Sequence, residues 1–257
     1  MDLLLPAQRH QRIIETLGRK GTVRTEDLAA LLGVSHETVR RDLAILERRA
    51  LLVRVHGGAT SAPSGTGEEL SYLERSTSQS EAKAVIGELA ARLLRPGQTV
   101  IIDVGTTAVH VARAVPPSFR GVVATCSLLV AAELAGRPGV EVLVAGGRVR
   151  QGDLAVSNAH TLGFFQDLRA DVAFLGSGGV DAEAGLTDYF LDEVATKRVI
   201  LAGAARTYVL ADSSKHGRVA AYRVCALDGL SGLLTDAAPP PALASALVSA
   251  GAQVINP

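Results

Sequence analysis

From Glu81 onward the chain repeats one pattern: a short run of β-branched and apolar residues, then a Gly, Ser, Thr or Asp, then a stretch with helical spacing. The apolar runs are TVIIDVG, GVVATCS, VEVLVAGG, DVAFLGSGG, TYVLADSSK and YRVCALDGL; SEAKAVIGELAARLL and FLDEVATKRVILAGA are helical stretches among them. Strands that are apolar throughout must be covered on both faces, and strands separated by helices run parallel. The pattern predicts an α/β domain over residues 81–257 with a mainly parallel sheet, whose loops gather at the carboxyl ends of the strands. Hydrophobic residues at 47% are enough for its core, and charged residues at 20% are too few for a disordered chain.

Residues 1–60 have another texture and predict a winged helix-turn-helix. Ile13, Ile14 and Leu17 give a first helix its apolar stripe, which Gly21 ends. Thr25 is expected to cap a second helix with Glu26 and Asp27 in its first turn, core residues Leu28, Leu31 and Leu32, and a stop at Gly33. Ser35 then opens a third helix. At about 100° per residue its Val39, Leu43 and Leu46 fall within roughly 60° of one another and form the buried stripe. Arg41, Ala44 and Arg48 point the other way, with Thr38 and Arg40 on the flanks. Leu51 to His56 alternates apolar and polar residues before Gly57-Gly58 and reads as one strand of a wing. Between the two blocks, residues 61–80 are rich in Ser, Gly, Thr and Glu and read as a linker.

Charge follows the same division. The chain is neutral overall, but residues 1–60 hold ten Lys/Arg against seven Asp/Glu, and the remainder holds sixteen against nineteen. A basic head on an acidic body fits a partner of negative charge. A recognition helix reads base edges with its N-terminal residues while other groups hold phosphates. Ser35, Glu37, Thr38 and Arg41 are thus expected in the major groove of double-stranded DNA, with Arg41 suited to guanine. His36, Arg40, Arg54 and His56 are expected on the backbone, and Arg48 on the same basic side. The bland alternative for Arg41 is a surface pairing with Glu37, one helical turn earlier.

In the second block, the DVGTT segment from Asp103 to Thr107 follows a strand and opens a helix. Its free N–H groups and hydroxyls can cradle phosphate, though an ordinary capped turn would look alike. AGGR, with Gly147 and Arg148, GSGGVD, with Asp181, and ADSSK, with Lys215, end other strands. Lys215 offers a point charge for phosphate, and Asp103, Asp181 and Asp188 can accept from sugar hydroxyls; each alone would be a solvated turn residue. In GSGGVD, Asp181 stands where a dinucleotide fingerprint needs its third glycine, so nicotinamide is disfavoured and no cofactor is expected. Cys126 and Cys225 lack a C-x-x-C partner, which predicts buried thiols in a reducing compartment and no metal site. MDLLLPAQRH is too short an apolar run for a signal peptide, and no segment is long enough to cross a bilayer, so a cytoplasmic location is expected.

The stretch GTVRTEDLAALLGVSHETVRRDLAILERRALLVRVHGGA resembles the N-terminal signature of DeoR-type bacterial transcriptional regulators. That signature, V-S-x-x-T-[IV]-R-R-D-L followed by R-x-H-G-G-A, falls here on Val34 through Leu43 and on Arg54 through Ala59. Ala50 departs from it, where the family has Gly to close the helix, and implies a shifted helix end. The second block is similar to the DeoR-type sensor, whose fold is that of ribose-5-phosphate isomerase and glucosamine-6-phosphate deaminase. The resemblance implies a repressor of a carbohydrate operon working as a homo-oligomer, with a sugar-phosphate effector. It puts phosphate on Gly105, Thr106 and Thr107, with Asp181, Lys197 and Lys215 nearby. Two departures are Cys126, where the family's T-N-S has Asn, and AVSNAH from Ala155 to His160, which lacks a Gly. The isomerase-like pattern has Glu directly before Lys, but Thr196 precedes Lys197 here. Glu193 is the one substitute base, so binding without catalysis is expected. The alternative is a sugar-phosphate isomerase or deaminase carrying a DNA-binding head.

Overall fold

A computed structural model of the chain describes residues 5–48, 52–55, 57–61 and 69–257, which fall into two units on either side of the Glu68–Glu69 bond. Ala50 and His56 lie outside the described residues, as does the Arg48 side chain.

The first unit runs α1 (Pro6–Lys20), β1 (Thr22–Arg24), α2 (Thr25–Leu32), α3 (His36–Arg48), β2 (Leu52–Val55) and β3 (Gly58–Ser61). Ile13 and Leu17 from α1, Leu28 and Leu32 from α2, and Val39, Leu43 and Leu46 from α3 close on Leu52 of the wing as one core. A fully buried aliphatic side chain of this kind contributes about 1.5–3 kcal/mol. Leu31 is corrected: it is 53% exposed, and Ala29 takes the buried position. Thr25 is also corrected, because it is the first residue of α2 and Arg24 stands at the cap with no side-chain bond. The reason is β1, a short strand that the sequence pattern does not announce, which pairs with β3 and runs straight into α2. The wing is thus three-stranded, in the order β1-β3-β2, and its expected strand is shorter, at Leu52–Val55.

The second unit begins with α4 (Tyr72–Thr77) and α5 (Ser80–Ala91), followed by β4 (Thr99–Ile102), α6 (Thr106–Ala114), β5 (Gly121–Thr125), α7 (Leu128–Leu134) and β6 (Val140–Val144). A short ribbon of β7 (Arg148–Val149) and β8 (Val156–Ser157) leads to α8 (Ala159–Asp167) and β9 (Val172–Leu175). Then come β10 (Gly179–Asp181), β11 (Gly185–Asp188), α9 (Leu191–Gly203), β12 (Thr207–Leu210), β13 (Tyr222–Cys225), β14 (Gly232–Leu234), α10 (Pro241–Ser249) and β15 (Gln253–Ile255).

Seven of these strands form one parallel sheet in the order β15-β14-β12-β9-β4-β5-β6. Side chains alternate across it. Val100, Ile102, Val172, Phe174, Tyr208 and Leu210 pack with α5, α6 and α7, while Ile101, Ala173, Leu175 and Val209 pack with α8, α9 and α10. YRVCALDGL is corrected: β13 leaves the main sheet and pairs antiparallel with β11 in a separate sheet β10-β11-β13. Two strands that the apolar runs do not reveal, β14 and β15, fill the sheet's edge instead. The stretch 61–80, linker-like in composition, holds helix α4 at Tyr72–Thr77, where Ser71 and Glu74 form a capping box.

From β4 the chain winds outward through β5 and β6, then returns to place β9 on the other side of β4. The winding direction reverses between β4 and β9. In open parallel sheets such a reversal opens a crevice at the strands' carboxyl ends.

Candidate DNA-reading surface and effector site

The turn into α3 is built by Gly33, whose φ of 66° supplies the left-handed stop of α2. Ser35 Oγ then accepts from the Thr38 N–H at 3.2 Å and lies 2.9 Å from the Thr38 hydroxyl, so Ser35 caps α3. With Val39 and Leu43 turned inward, His36, Glu37, Arg40 and Arg41 are all exposed on the outer side. Arg41 meets Glu37 at 3.4 Å, but both side chains are more than half exposed, and such a pair is worth at most about 1 kcal/mol. His36, Arg40 and Arg54 line one cleft of about 140 Å³ between α3 and the wing, with Thr25, Glu26 and Gly57 beside them. Arg54 is braced there by Glu47, whose carboxylate accepts from the Arg54 backbone N–H at 3.1 Å.

In the second unit, two strand ends and α9 itself bring three carboxylates to one lysine. The Lys197 ammonium on α9 lies 3.0 Å from Asp103 Oδ2 after β4, 2.8 Å from Asp188 Oδ2 at the end of β11, and 3.1 Å from Glu193 Oε2 one turn earlier in α9. Lys197, Asp103 and Asp188 are all buried. Burial alone would strip the lysine of its proton, but the three carboxylates outweigh it and hold the ammonium charged far above the usual range. Asp103 also spans the winding reversal, since its Oδ2 accepts from the Gly176 N–H after β9 at 3.0 Å. Its other oxygen accepts from the Cys126 thiol at 4.0 Å. Burial, with Asp103 adding to it, drives that thiol's pKa well upward, so Cys126 is inert as a nucleophile.

Glu193 is doubly held, by Lys197 and by a close ion pair with Arg150, which also pairs with Asp153. The Arg150 guanidinium stacks 4.0 Å over the Phe190 ring. Burial pushes the Glu193 carboxyl up to about 7, against the pull of Lys197.

Beside this cluster, α6 starts on Gly105 at φ 109°, a conformation that suits glycine, and has no side-chain cap. Neighbouring loops are capped: Ser127 serves α7, Asn158 serves α8, and Asp212 serves the short turn Ser213–Lys215. No described residue accepts from the N–H groups of Thr106 or Thr107 at the first turn of α6. Lys215 follows β12, is half-buried, and has no carboxylate within ion-pairing distance of its ammonium among the described residues. Desolvation, then Arg218, depresses its pKa.

Geometry therefore gathers Asp103, Asp188 and Lys197 in one cluster, with Gly105, Thr106 and Thr107 following β4 and Lys215 following β12, two strands away. It does not gather the rest. Asp181 folds its carboxylate onto the Glu183 and Ala184 N–H groups in the β10–β11 turn, opposite Gly185 and so at the other end of β11 from Asp188. Arg148 is exposed on β7. Gly147 acts by its size, since a Cβ there would come within 2.8 Å of Asn158 Oδ1 and Thr161 Oγ1.

The DeoR-like helix-turn-helix domain matches residues 9–64, and the DeoR C terminal sensor domain matches residues 78–237. The chain belongs to the DeoR family. It is 32% identical to the HTH-type transcriptional repressor CsqR of Escherichia coli strain K12, across 97% of this chain and 95% of the relative. It is 34% identical to that organism's glycerol-3-phosphate regulon repressor, with 91% and 92% covered. Among solved structures, ribose 5-phosphate isomerase A from Methanocaldococcus jannaschii overlaps 54% of this chain and 55% of its own, at 15% identity and TM-score 0.41. This DeoR-family chain is a DNA-binding transcriptional regulator, not an enzyme.

Several residues of this DeoR-family fold escape sequence reasoning. Asp42, in the R-R-D-L core, is buried and accepts from Arg9 Nε at 2.7 Å, with His10 Nε2 at 2.9 Å, tying α1 to α3. Burial would raise its pKa, but the bonds from Arg9 and His10 win and lower it. Arg150 and Asp153 pair with each other three residues apart, and nothing in that spacing marks them, because the partner that places Arg150 at the cluster, Glu193, lies far along the chain. Glu69, Arg75 and Lys83 sit in or beside a segment whose composition reads as a linker.

Proposed function

We propose that this regulator represses a carbohydrate operon and leaves its operator when a phosphorylated sugar fills the strand-end site of the sensor unit. The observation that carries the reading is the start of α6 on Gly105, where no side chain caps the first-turn N–H groups, with the Lys215 ammonium, which no carboxylate pairs among the described residues, two strands away. The phosphate would rest on Gly105, Thr106, Thr107 and Lys215. Sugar hydroxyls would reach toward the acceptors around Asp103 and Asp188, with Arg150 and Glu193 at the flank. The names of the relatives that regulate glycerol-3-phosphate and aga operons support this effector class.

On DNA, Ser35, Glu37, Thr38 and Arg41 would meet base edges while His36, Arg40 and Arg54 hold phosphates. A single recognition helix reads few bases, so a homo-oligomer presenting two helices at half-site spacing is part of the proposal. Among the described residues no helix is long and apolar enough to cross a membrane, and a cytoplasmic location fits an operator-binding role. Effector binding would favour a form of the oligomer with the wrong spacing.

The test is a thermal-stability panel of sugar phosphates and glycerol 3-phosphate on the full chain, followed by operator release with the best binder. Selective stabilisation by one phosphorylated compound, lost in Lys215→Ala along with operator release, is expected. Equal release from wild type and Lys215→Ala would remove the phosphate role from this site.

A further inference from the structure

The chain enters the sensor unit at Glu69, and that carboxylate does not face water. It pairs with Arg75 at 3.0 Å with both side chains largely buried. Arg75 Nε also donates to the Leu70 carbonyl at 3.0 Å, so the guanidinium is fixed in place. The Arg75 carbonyl is held in turn by the buried Lys83 ammonium, which also donates to the Ser78 carbonyl. Lys83 feels Asp212, the residue that caps the turn bearing Lys215, as an electrostatic neighbour. Lys215 itself feels Glu69 and Arg75 as electrostatic neighbours, with Arg218 and Asp212. Glu69 feels Arg75, Lys215 and Lys197, and Asp188 against it.

We propose that Glu69 is an internal competitor of the anionic effector, holding beside Arg75 and Lys215 the place that an incoming phosphate takes over. The proposal rests on the phosphate reading of the strand-end site and adds to it a residue that sets which ligands are admitted. Around Lys215 lie the cations Arg75 and Arg218 and the carboxylates Glu69 and Asp212; Asp212 is engaged in capping Ser214, whereas Glu69 is held by Arg75. Burial raises the Glu69 carboxyl, which means that its charge is poorly accommodated where it sits. A phosphate monoester brings about −1.5 to −2 at neutral pH and three acceptor oxygens. It therefore displaces the carboxylate, whereas an unphosphorylated sugar brings no charge and cannot. Because Glu69 is the first residue of the sensor unit, its displacement loosens the point where the chain arrives from the DNA-reading unit.

The test titrates inorganic phosphate into full-length wild type, Glu69→Gln and Lys215→Ala by calorimetry at constant ionic strength. Glu69→Gln is expected to bind phosphate about tenfold more tightly, a typical size for coupled sites, and Lys215→Ala to lose binding. Glycerol 3-phosphate should show the same gain with Glu69→Gln and glycerol none. Unchanged or weaker phosphate affinity in Glu69→Gln, with binding still lost in Lys215→Ala, overturns the competitor and leaves the phosphate site standing. Absence of phosphate and glycerol 3-phosphate binding in wild type and Glu69→Gln alike overturns both. Should Glu69→Gln not fold, Glu69→Asp keeps the charge on a shorter stem; an intermediate affinity supports the competition, and an unaltered one overturns it.

Discussion

Arg41, on the proposed reading surface, contributes little to stability. Among the described residues it pairs only with exposed Glu37, so Arg41→Ala should leave the melting temperature unchanged. Specific operator affinity should fall by about 1–3 kcal/mol in a titration at fixed salt, and no loss would remove it from the reading surface. Lys197 is the reverse case. Lys197→Met would leave Asp103 and Asp188 buried without their cation and Glu193 held by Arg150 alone, and removing one partner of a buried ion cluster costs about 3–5 kcal/mol, readable in urea unfolding. Glu193 supplies a pH signature. Its carboxyl titrates near 7 when folded, against an ordinary value of 4.5. As pH rises from 4.5 the unfolded chain loses this proton first, so stability contributed at this position falls until about pH 7 and is level above it. Glu193→Gln should flatten that slope in denaturant midpoints measured from pH 4.5 to 8; an unaltered slope would assign it to other groups.

Among the elements, the wing depends most on one glycine. A Cβ on Gly58 would lie 2.1 Å from the Val23 carbonyl oxygen, where β3 crosses β1. Backbone cannot yield by that distance without breaking the pairing. Gly58→Ala should therefore unseat the wing and weaken operator binding in a gel-shift titration, while the sensor's ligand-induced stabilisation stays as in wild type. The same sheet explains what the sequence hid at this level. β1 is three residues long, too short for an alternation to register, and it exists because Gly58 lets its backbone close on β3. By contrast α3 was legible at every turn, since capping by Ser35 and the stripe of Val39, Leu43 and Leu46 are local properties.

Across the molecule, two separate sets of cores serve two tasks. Ile13, Val39 and Leu52 belong to one, and the two faces of the seven-stranded sheet to the other. A sugar phosphate that binds the sensor should raise the unfolding transition of that unit by mass action and leave the winged unit's transition in place, as followed by calorimetry. A uniform shift of a single transition would contradict that division. The sequence by itself determined the parallel sheet, the winged helix and the loops at the strands' carboxyl ends, because apolar periodicity, caps and glycine turns are written over a few neighbouring residues. Tertiary structure alone decided that Asp188 joins Lys197 while Asp181 serves a turn, that β13 leaves the sheet, and that Glu69 and Arg150 turn toward charged groups. Those outcomes depend on burial and on partners many residues apart, and a buried charge is specified by the groups that close around it rather than by its own place in the chain.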